Sequence, residues 1–116
     1  MSLAHQIVLA SKSSVRKSIL ESLSVPFKVQ RSFVDESEIT AQEPSLVALK
    51  RASEKARSVS KKSNLSLVIG SDQVLSFKGL IFSKPKSKEE AFTHIKSFQG
   101  CKHVLHSAVS LFFSGL

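Results

Sequence analysis

The chain has 116 residues, of which 41% are hydrophobic and 22% charged, and it carries a single cysteine and a formal net charge of +8. These values predict one globular domain over residues 1–116 and argue against a disordered tail. No segment approaches the roughly 20 apolar residues of a membrane span. Because Cys101 is the single cysteine of the sequence, an internal disulfide framework is excluded. We therefore expect a cytoplasmic protein with no membrane partner.

The positive charge indicates polyanionic ligands, because a positive field concentrates phosphates and nucleic acid near the surface. Thirteen of the 17 basic residues are lysines, however, and they are scattered along the chain. No nucleic-acid-binding signature with interleaved aromatic residues is visible. The composition argues against a nucleic-acid partner and leaves a smaller phosphate-containing ligand open.

The first half of the chain predicts strand, helix, strand and helix. Residues 5–10 are typical of a buried strand, and the apolar spacing over 15–23 predicts a helix capped by Ser13 or Ser14. Residues 27–33 alternate like a half-buried strand and lead into an acidic loop at 34–36. From Pro44 a long helix is expected. Its apolar face is marked by Leu46, Leu49, Ala52, Ala56 and Val59.

The second half predicts a hairpin, a helix and a final strand. Residues 65–69 form a buried-strand pattern, followed by Gly70-Ser71-Asp72-Gln73 and then a hairpin over 74–82 with its turn at 78–79. A helix is expected over 87–98 with Gly100 as its stop, and then a strand over 103–113. This order of elements predicts an α/β fold in which helices pack on a sheet.

The first candidate site follows the first strand, at Ser11 and the helix that bears Arg16. Serine hydroxyls and free N–H groups at a helix N-terminus bind phosphate, and a guanidinium adds a planar cation. The alternative is an ordinary serine cap with solvated cations. The glycine-rich dinucleotide fingerprint and the P-loop are both absent from the sequence, which argues against those cofactor folds.

The second candidate is Asp72, which directly follows an apolar strand. A partly buried carboxylate needs compensation, which a metal or a lysine would provide. The alternative is a turn aspartate bonded to its own backbone, because Gly70-Ser71-Asp72-Gln73 fits a turn signature equally well.

The third candidate set comprises Asp35-Glu36 in the acidic loop, Lys55 in the long helix and Lys84 before Pro85. Lys55 continues the line of Ala48 and Ala52 at helical spacing, so its stem should lie along the packed side, although a surface lysine remains the alternative. Two carboxylates for a hard divalent cation and several cations for phosphate oxygens are typical of metal-assisted phosphoryl chemistry.

Six segments in chain order together resemble one known family. They are L-A-S-K-S-S-V-R at 9–16, V-D-E at 34–36, A-S-E-K-A at 52–56, G-S-D-Q-V at 70–74, K-P at 84–85 and G-C-K-H-V at 100–104. On these segments the chain resembles the Maf proteins, also called septum formation inhibitor Maf, over essentially its whole length. The resemblance implies a Maf/ITPase-like mixed sheet flanked by helices.

The resemblance also implies an activity: hydrolysis of nucleoside triphosphates to a nucleoside monophosphate and pyrophosphate with a divalent cation, Mg, Mn or Co. By position, Asp72 would accept the proton of water, and Glu36 with Asp72 would hold the cation. Four residues would hold the triphosphate substrate: Ser11, Arg16, Lys55 and Lys84.

The chain departs from the family pattern at two places. Val15 stands where the family has its first Arg. Gln73, in contrast, resembles the branch of the family that acts on 7-methyl-GTP. These two positions are the expected specificity residues, and the preferred nucleotide base is left open. Family members also continue well past Leu116. We therefore expect the C-terminal part of the fold to lie outside this sequence, and a remnant that binds nucleotide without hydrolysis is the alternative function. An unpaired strand edge near Phe112 would favour a homodimer.

Overall fold

The structure, a computed structural model, describes residues 6–114 of the chain. It contains five strands, three α-helices and one short 3₁₀ helix. In chain order these are β1 (Gln6–Ala10), α1 (Ser14–Glu21), β2 (Lys28–Val29), the 3₁₀ helix (Glu36–Glu38), α2 (Pro44–Ser60), β3 (Ser66–Phe77), β4 (Leu80–Phe82), α3 (Lys88–Phe98) and β5 (Val104–Ser114). Among these residues, no helix combines the length and apolar character needed to cross a membrane.

The five strands form one mixed sheet around the long strand β3. β1 pairs in parallel with both β2 and the first part of β3, over residues 66–70. β4 pairs antiparallel with the last part of β3, over 75–77, and β5 pairs antiparallel with β3 over 66–76. Since β5 occupies one edge of β3, β1 and β4 share the other edge, and a gap over residues 71–74 separates them. The predicted mixed sheet flanked by helices is confirmed.

Helix α2 covers one face of the sheet. Alternate residues of β3 point toward it, and they pack on small side chains of the helix. The buried residues of this layer are Val8, Ala10, Val47, Ala48, Ala52, Ala56, Val59, Val68 and Val74. A Cβ on Gly70 would lie 2.2 Å from the Ala52 carbonyl oxygen, so only glycine permits this close approach of helix and strand.

Helix α3 packs near the β3–β4 hairpin through aromatic rings. Phe98 lies 5.0 Å from both Phe77 and Phe82, measured between ring centroids, and 5.1 Å from the ring of His103. The helix begins with Ser87 accepting a hydrogen bond from the Glu90 N–H. Gly100, with a φ of 70°, follows its end as predicted.

Several local predictions are wrong or incomplete. The strand expected over 27–33 has only two residues, Lys28–Val29. Leu46 and Leu49 are exposed, because the smaller Val47 and Ala48 form the packed face instead. Helix α1 is capped by Ser13 as predicted but has no buried residue among those described. His5 of the predicted first strand lies outside the described residues.

Candidate functional site

Asp72 lies inside β3 rather than in a turn. The segment Gly70-Ser71-Asp72-Gln73 is continuous strand, held on one side by pairing with β5, so the turn alternative for Asp72 is wrong. Because β1 ends beside Gly70 and β4 begins pairing at Leu75, Asp72 sits at the gap in the other edge. Its side chain points to the α2 face and is only 7% exposed. A carboxylate this buried requires a compensating charge.

Lys55 of α2 supplies that charge. Its Nζ lies 3.0 Å from Asp72 Oδ1, and the same ammonium donates to the Ser71 carbonyl oxygen at 3.4 Å. The Lys55 side chain is 12% exposed, which confirms the prediction that its stem lies along the packed side. The lysine therefore neutralises the buried carboxylate.

Glu36 is the second carboxylate on Lys55. Its Oε1 lies 2.5 Å from Lys55 Nζ, and its side chain is 41% exposed. The 3₁₀ helix that carries Glu36 is capped at its N-terminus by Asp35, whose Oδ1 accepts hydrogen bonds from the Ser37 N–H and hydroxyl. Burial alone would raise the pKa of Glu36, but the hydrogen bond and charge of Lys55, followed by the charges of Arg51 and Lys84, lower that pKa below its usual 4.5.

Ser11 directly follows β1, whose last residue, Ala10, pairs with Gly70 two residues before Asp72. It is buried, and its Oγ accepts a hydrogen bond from the Ser13 N–H at 3.0 Å. Ser13 in turn caps α1 by accepting from the Arg16 N–H. Arg16 is thus held in the first turn of a helix that starts at the same end of β1, as the sequence predicts.

The remaining predicted residues are more dispersed. Lys84 is exposed, and its charge acts on Glu36 without a salt bridge between them. Val15 is exposed on α1. Gln73 points to the face of β3 opposite Asp72, where its Nε2 donates to Ser107 Oγ at 3.0 Å. The structure therefore unites Glu36, Lys55 and Asp72 and places Ser11 at the end of the neighbouring strand β1. The thickness of the sheet separates Gln73 from the three charged residues.

The chemistry of the cluster fits a hard cation. Asp72 Oδ2 is buried and has no hydrogen-bond partner, so one carboxylate oxygen remains for a further ligand. Mg²⁺ is commonly held by one or two carboxylates together with substrate phosphates. Within residues 6–114 no group of three or more histidine, cysteine, aspartate or glutamate side chains could hold a metal by itself. Glu36 and Asp72 would hold a cation only together with oxygens from a ligand.

Arg51 is a neighbour of the cluster that the sequence reasoning missed. It lies on α2 one turn before Lys55, and its charge acts on Glu36. The available signal was its spacing of four residues from Lys55, which places both cations on one flank of the helix.

Two surface cavities lie elsewhere. One of about 450 Å³ is formed between α1 and the segment before β2, with Lys17 and Phe27 in its wall. The other, of about 280 Å³, is lined by residues 30–34 and the end of α2. Neither is lined by Glu36, Lys55 or Asp72, so the candidate site is defined by its charges rather than by a closed cavity.

Known proteins are similar to this chain over most of its length. A profile of the family described as Maf-like protein matches residues 6–115. A nucleoside triphosphate pyrophosphatase of Pelagibacter ubique is 36% identical over 94% of this chain and 59% of the relative. Two proteins named 7-methyl-GTP pyrophosphatase, from Burkholderia thailandensis and Bartonella quintana, are 38% and 40% identical over 94% and 97% of this chain and 52% and 59% of the relatives. The chain thus spans between half and three fifths of the length of these curated relatives.

Proposed function

Because this chain belongs to the Maf-like protein family, we propose that it hydrolyses nucleoside triphosphates to a nucleoside monophosphate and pyrophosphate. The observation that carries the proposal is the state of Asp72: its Oδ1 is fixed by Lys55, whereas its buried Oδ2 has no partner. A carboxylate oriented in this way is suited to accept a proton from water. The names of the relatives at 36–40% identity agree with this chemistry.

In the proposed reaction, water adds to phosphorus and the bond to the oxygen that bridges the α and β phosphates breaks. The proton of water passes to Asp72 Oδ2, and pyrophosphate leaves. Lys55 keeps Asp72 in position, and its positive charge attracts the phosphate oxygens. Ser11, Arg16 and Lys84 are the further residues that we assign to the triphosphate.

A divalent cation, Mg, Mn or Co, would be held by Glu36 and Asp72. When bound, it supplies charge neutralisation of the phosphate oxygens. Lys55 now occupies one oxygen of each carboxylate, so these residues would share their charge between the ammonium and the cation. We assign this shared role to the two carboxylates because Asp72 Oδ2 has no other partner.

The base specificity is proposed from the names of the relatives and from Gln73. Relatives named 7-methyl-GTP pyrophosphatase support methylated guanine nucleotides as substrates. Gln73 carries the resemblance to that branch, and its amide lies on the far face of the sheet, bonded to Ser107. Any effect of Gln73 on the base would therefore act through that face.

The activity is tested by measuring pyrophosphate release from a panel of canonical triphosphates and 7-methyl-GTP with Mg, Mn or Co. Turnover of at least one substrate, dependent on the added cation, is the expected result. Binding of a nucleotide without any product would instead support a nucleotide-binding protein. The absence of both binding and turnover would overturn the proposal.

The assignment of Asp72 is tested by Asp72→Asn. This change keeps the size of the side chain but removes its capacity to accept a proton, so we expect turnover to fall about 100-fold to 10,000-fold with substrate binding largely retained. Glu54→Gln is the matched control, because Glu54 lies on the same helix as Lys55 and its one salt bridge among the described residues is with Arg57, at 3.9 Å. Near-normal turnover by Asp72→Asn would place the base elsewhere.

A further inference from the structure

Arg51 is a basic residue of α2 that lies beside the candidate site. Lys55 is engaged by both carboxylates of the cluster, whereas Arg51 forms no salt bridge with any described residue. Its Nε is buried and has no hydrogen-bond partner. A buried N–H donor without an acceptor is costly, so the side chain is poised for an acceptor that residues 6–114 do not provide.

The position of Arg51 limits what that acceptor is. Arg51 and Lys55 are one helical turn apart on the same flank of α2, and the Glu36 carboxylate lies within electrostatic range of both. Lys55 links the same flank to Asp72. An acceptor at Arg51 would therefore lie next to the ammonium and carboxylates of the candidate site.

The charges favour an anion there. Glu36 and Asp72 carry two negative charges, and Lys55, Arg51 and Lys84 carry three positive charges around them. Lys55 is shared between the two carboxylates, whereas the buried Nε of Arg51 on the same flank has no acceptor among the described residues. A guanidinium presents a planar fork of donors that matches phosphate oxygens better than an ammonium does.

From these observations we infer that Arg51 is a further phosphate-binding residue of the site, contacting the polyphosphate of the nucleotide beside Lys55. The inference rests on the proposed function, because it takes the ligand to be a nucleoside triphosphate. It adds a contact on α2 to those assigned to Ser11, Arg16, Lys55 and Lys84. The sequence motifs do not include this position.

The test measures binding of inorganic tripolyphosphate by calorimetry at constant ionic strength, with three variants of the full chain. Arg51→Gln should weaken binding by about 10-fold or more, as loss of a charge-assisted hydrogen bond does. Arg51→Lys should lie between wild type and Arg51→Gln. Arg57→Gln removes the same charge from an exposed position of α2 and should change binding less than about threefold, because distant surface charges are screened.

The outcomes separate the inference from the proposed function. If wild type binds tripolyphosphate and Arg51→Gln binds like Arg57→Gln, Arg51 has no phosphate contact and the inference is wrong while the proposed function stands. If wild type binds neither tripolyphosphate nor any nucleoside triphosphate, both are wrong. Thermal unfolding of each variant identifies a folding defect, in which case Arg51→Lys carries the comparison.

A double-variant cycle distinguishes direct contact from an effect through Glu36. In the Glu36→Gln background, Arg51→Gln should still weaken tripolyphosphate binding by a similar factor. If the effect of Arg51→Gln disappears in that background, Arg51 acts by positioning Glu36 and the direct contact is overturned.

Discussion

The two faces of the central sheet are built differently. On the α2 face, alternate residues of β3 are buried against alanines and valines of the helix, and Gly70 lets the two backbones approach closely. On the opposite face, apolar side chains of β5 are exposed to water. Leu105, Val109 and Leu111 are each about 60% exposed, at 58%, 64% and 60%. Within residues 6–114, α3 packs only against the hairpin end of that face.

This difference between the two faces explains why the residues of the candidate site are held in place on the α2 face. Glu36, Lys55 and Asp72 all belong to the α2 face, so the layer that positions them is present in the described residues. Gln73 and Ser107 lie on the open face, where apolar neighbours remain accessible. The charge cluster is therefore supported by packing, whereas residues of the open face are held mainly by strand pairing.

The largest expected effect comes from filling the contact between β3 and α2. Gly70→Ala places a methyl group against backbone atoms of Ala52 and Ala56, at 2.2 and 2.9 Å, which only a displacement of the helix can relieve. We expect a loss of about 3 kcal/mol or more in the free energy of unfolding, measured by urea denaturation. Displacement of α2 should also weaken the Lys55–Asp72 contact.

The matched control is Ser107→Thr, which adds one methyl group on the open face and retains the hydroxyl that Gln73 contacts. It should change stability by less than about 0.5 kcal/mol. Equal losses for Gly70→Ala and Ser107→Thr would contradict the contrast between the two faces.

A smaller effect is expected when methyl groups are removed. Val68 is completely buried on the α2 face, and Val68→Ala should cost roughly 2 kcal/mol from lost burial and the cavity left behind. Val109→Ala, on the open face of β5, should cost less than about 0.5 kcal/mol in the same denaturation experiment. A cost for Val109→Ala that rises with protein concentration would show that a second molecule covers this face.

The sequence predicted the role of a residue best where local spacing was decisive. Lys55 is packed as expected because it continues the helical line of Ala48 and Ala52. Asp72 was ambiguous, because a short Gly-Ser-Asp-Gln segment also fits a turn, and only the eleven-residue pairing with β5 makes it strand. Leu46 and Leu49 were misplaced because Val47 and Ala48, which pack with Val74 of β3, form the buried face at this end of α2. These outcomes depend on tertiary contacts that periodicity does not contain.

The smallest expected effect concerns the charge cluster on the α2 face. Because the pKa of Glu36 is lowered in the folded chain, the folded state binds fewer protons at this group than the unfolded state just below pH 4.5. The stabilisation from Glu36 is therefore complete above about pH 4.5 and is lost as the pH falls through the lowered pKa. Since the side chain is 41% exposed, its size should stay below about 1 kcal/mol.

The measurement compares wild type, Glu36→Gln and Glu38→Gln by thermal unfolding from pH 3 to pH 7. Glu36→Gln should be less stable than wild type near neutral pH, and the difference should shrink as the pH falls below about 4.5. Glu38→Gln removes the same charge from an exposed neighbour in the same 3₁₀ helix that forms no salt bridge with the described residues. A difference of the same size and pH dependence in both variants would mean that net charge, rather than the Lys55 contact, produces it. The wild-type advantage over Glu36→Gln should also fall with added salt, but less than for a fully exposed pair, because Lys55 is largely shielded by α2 and β3.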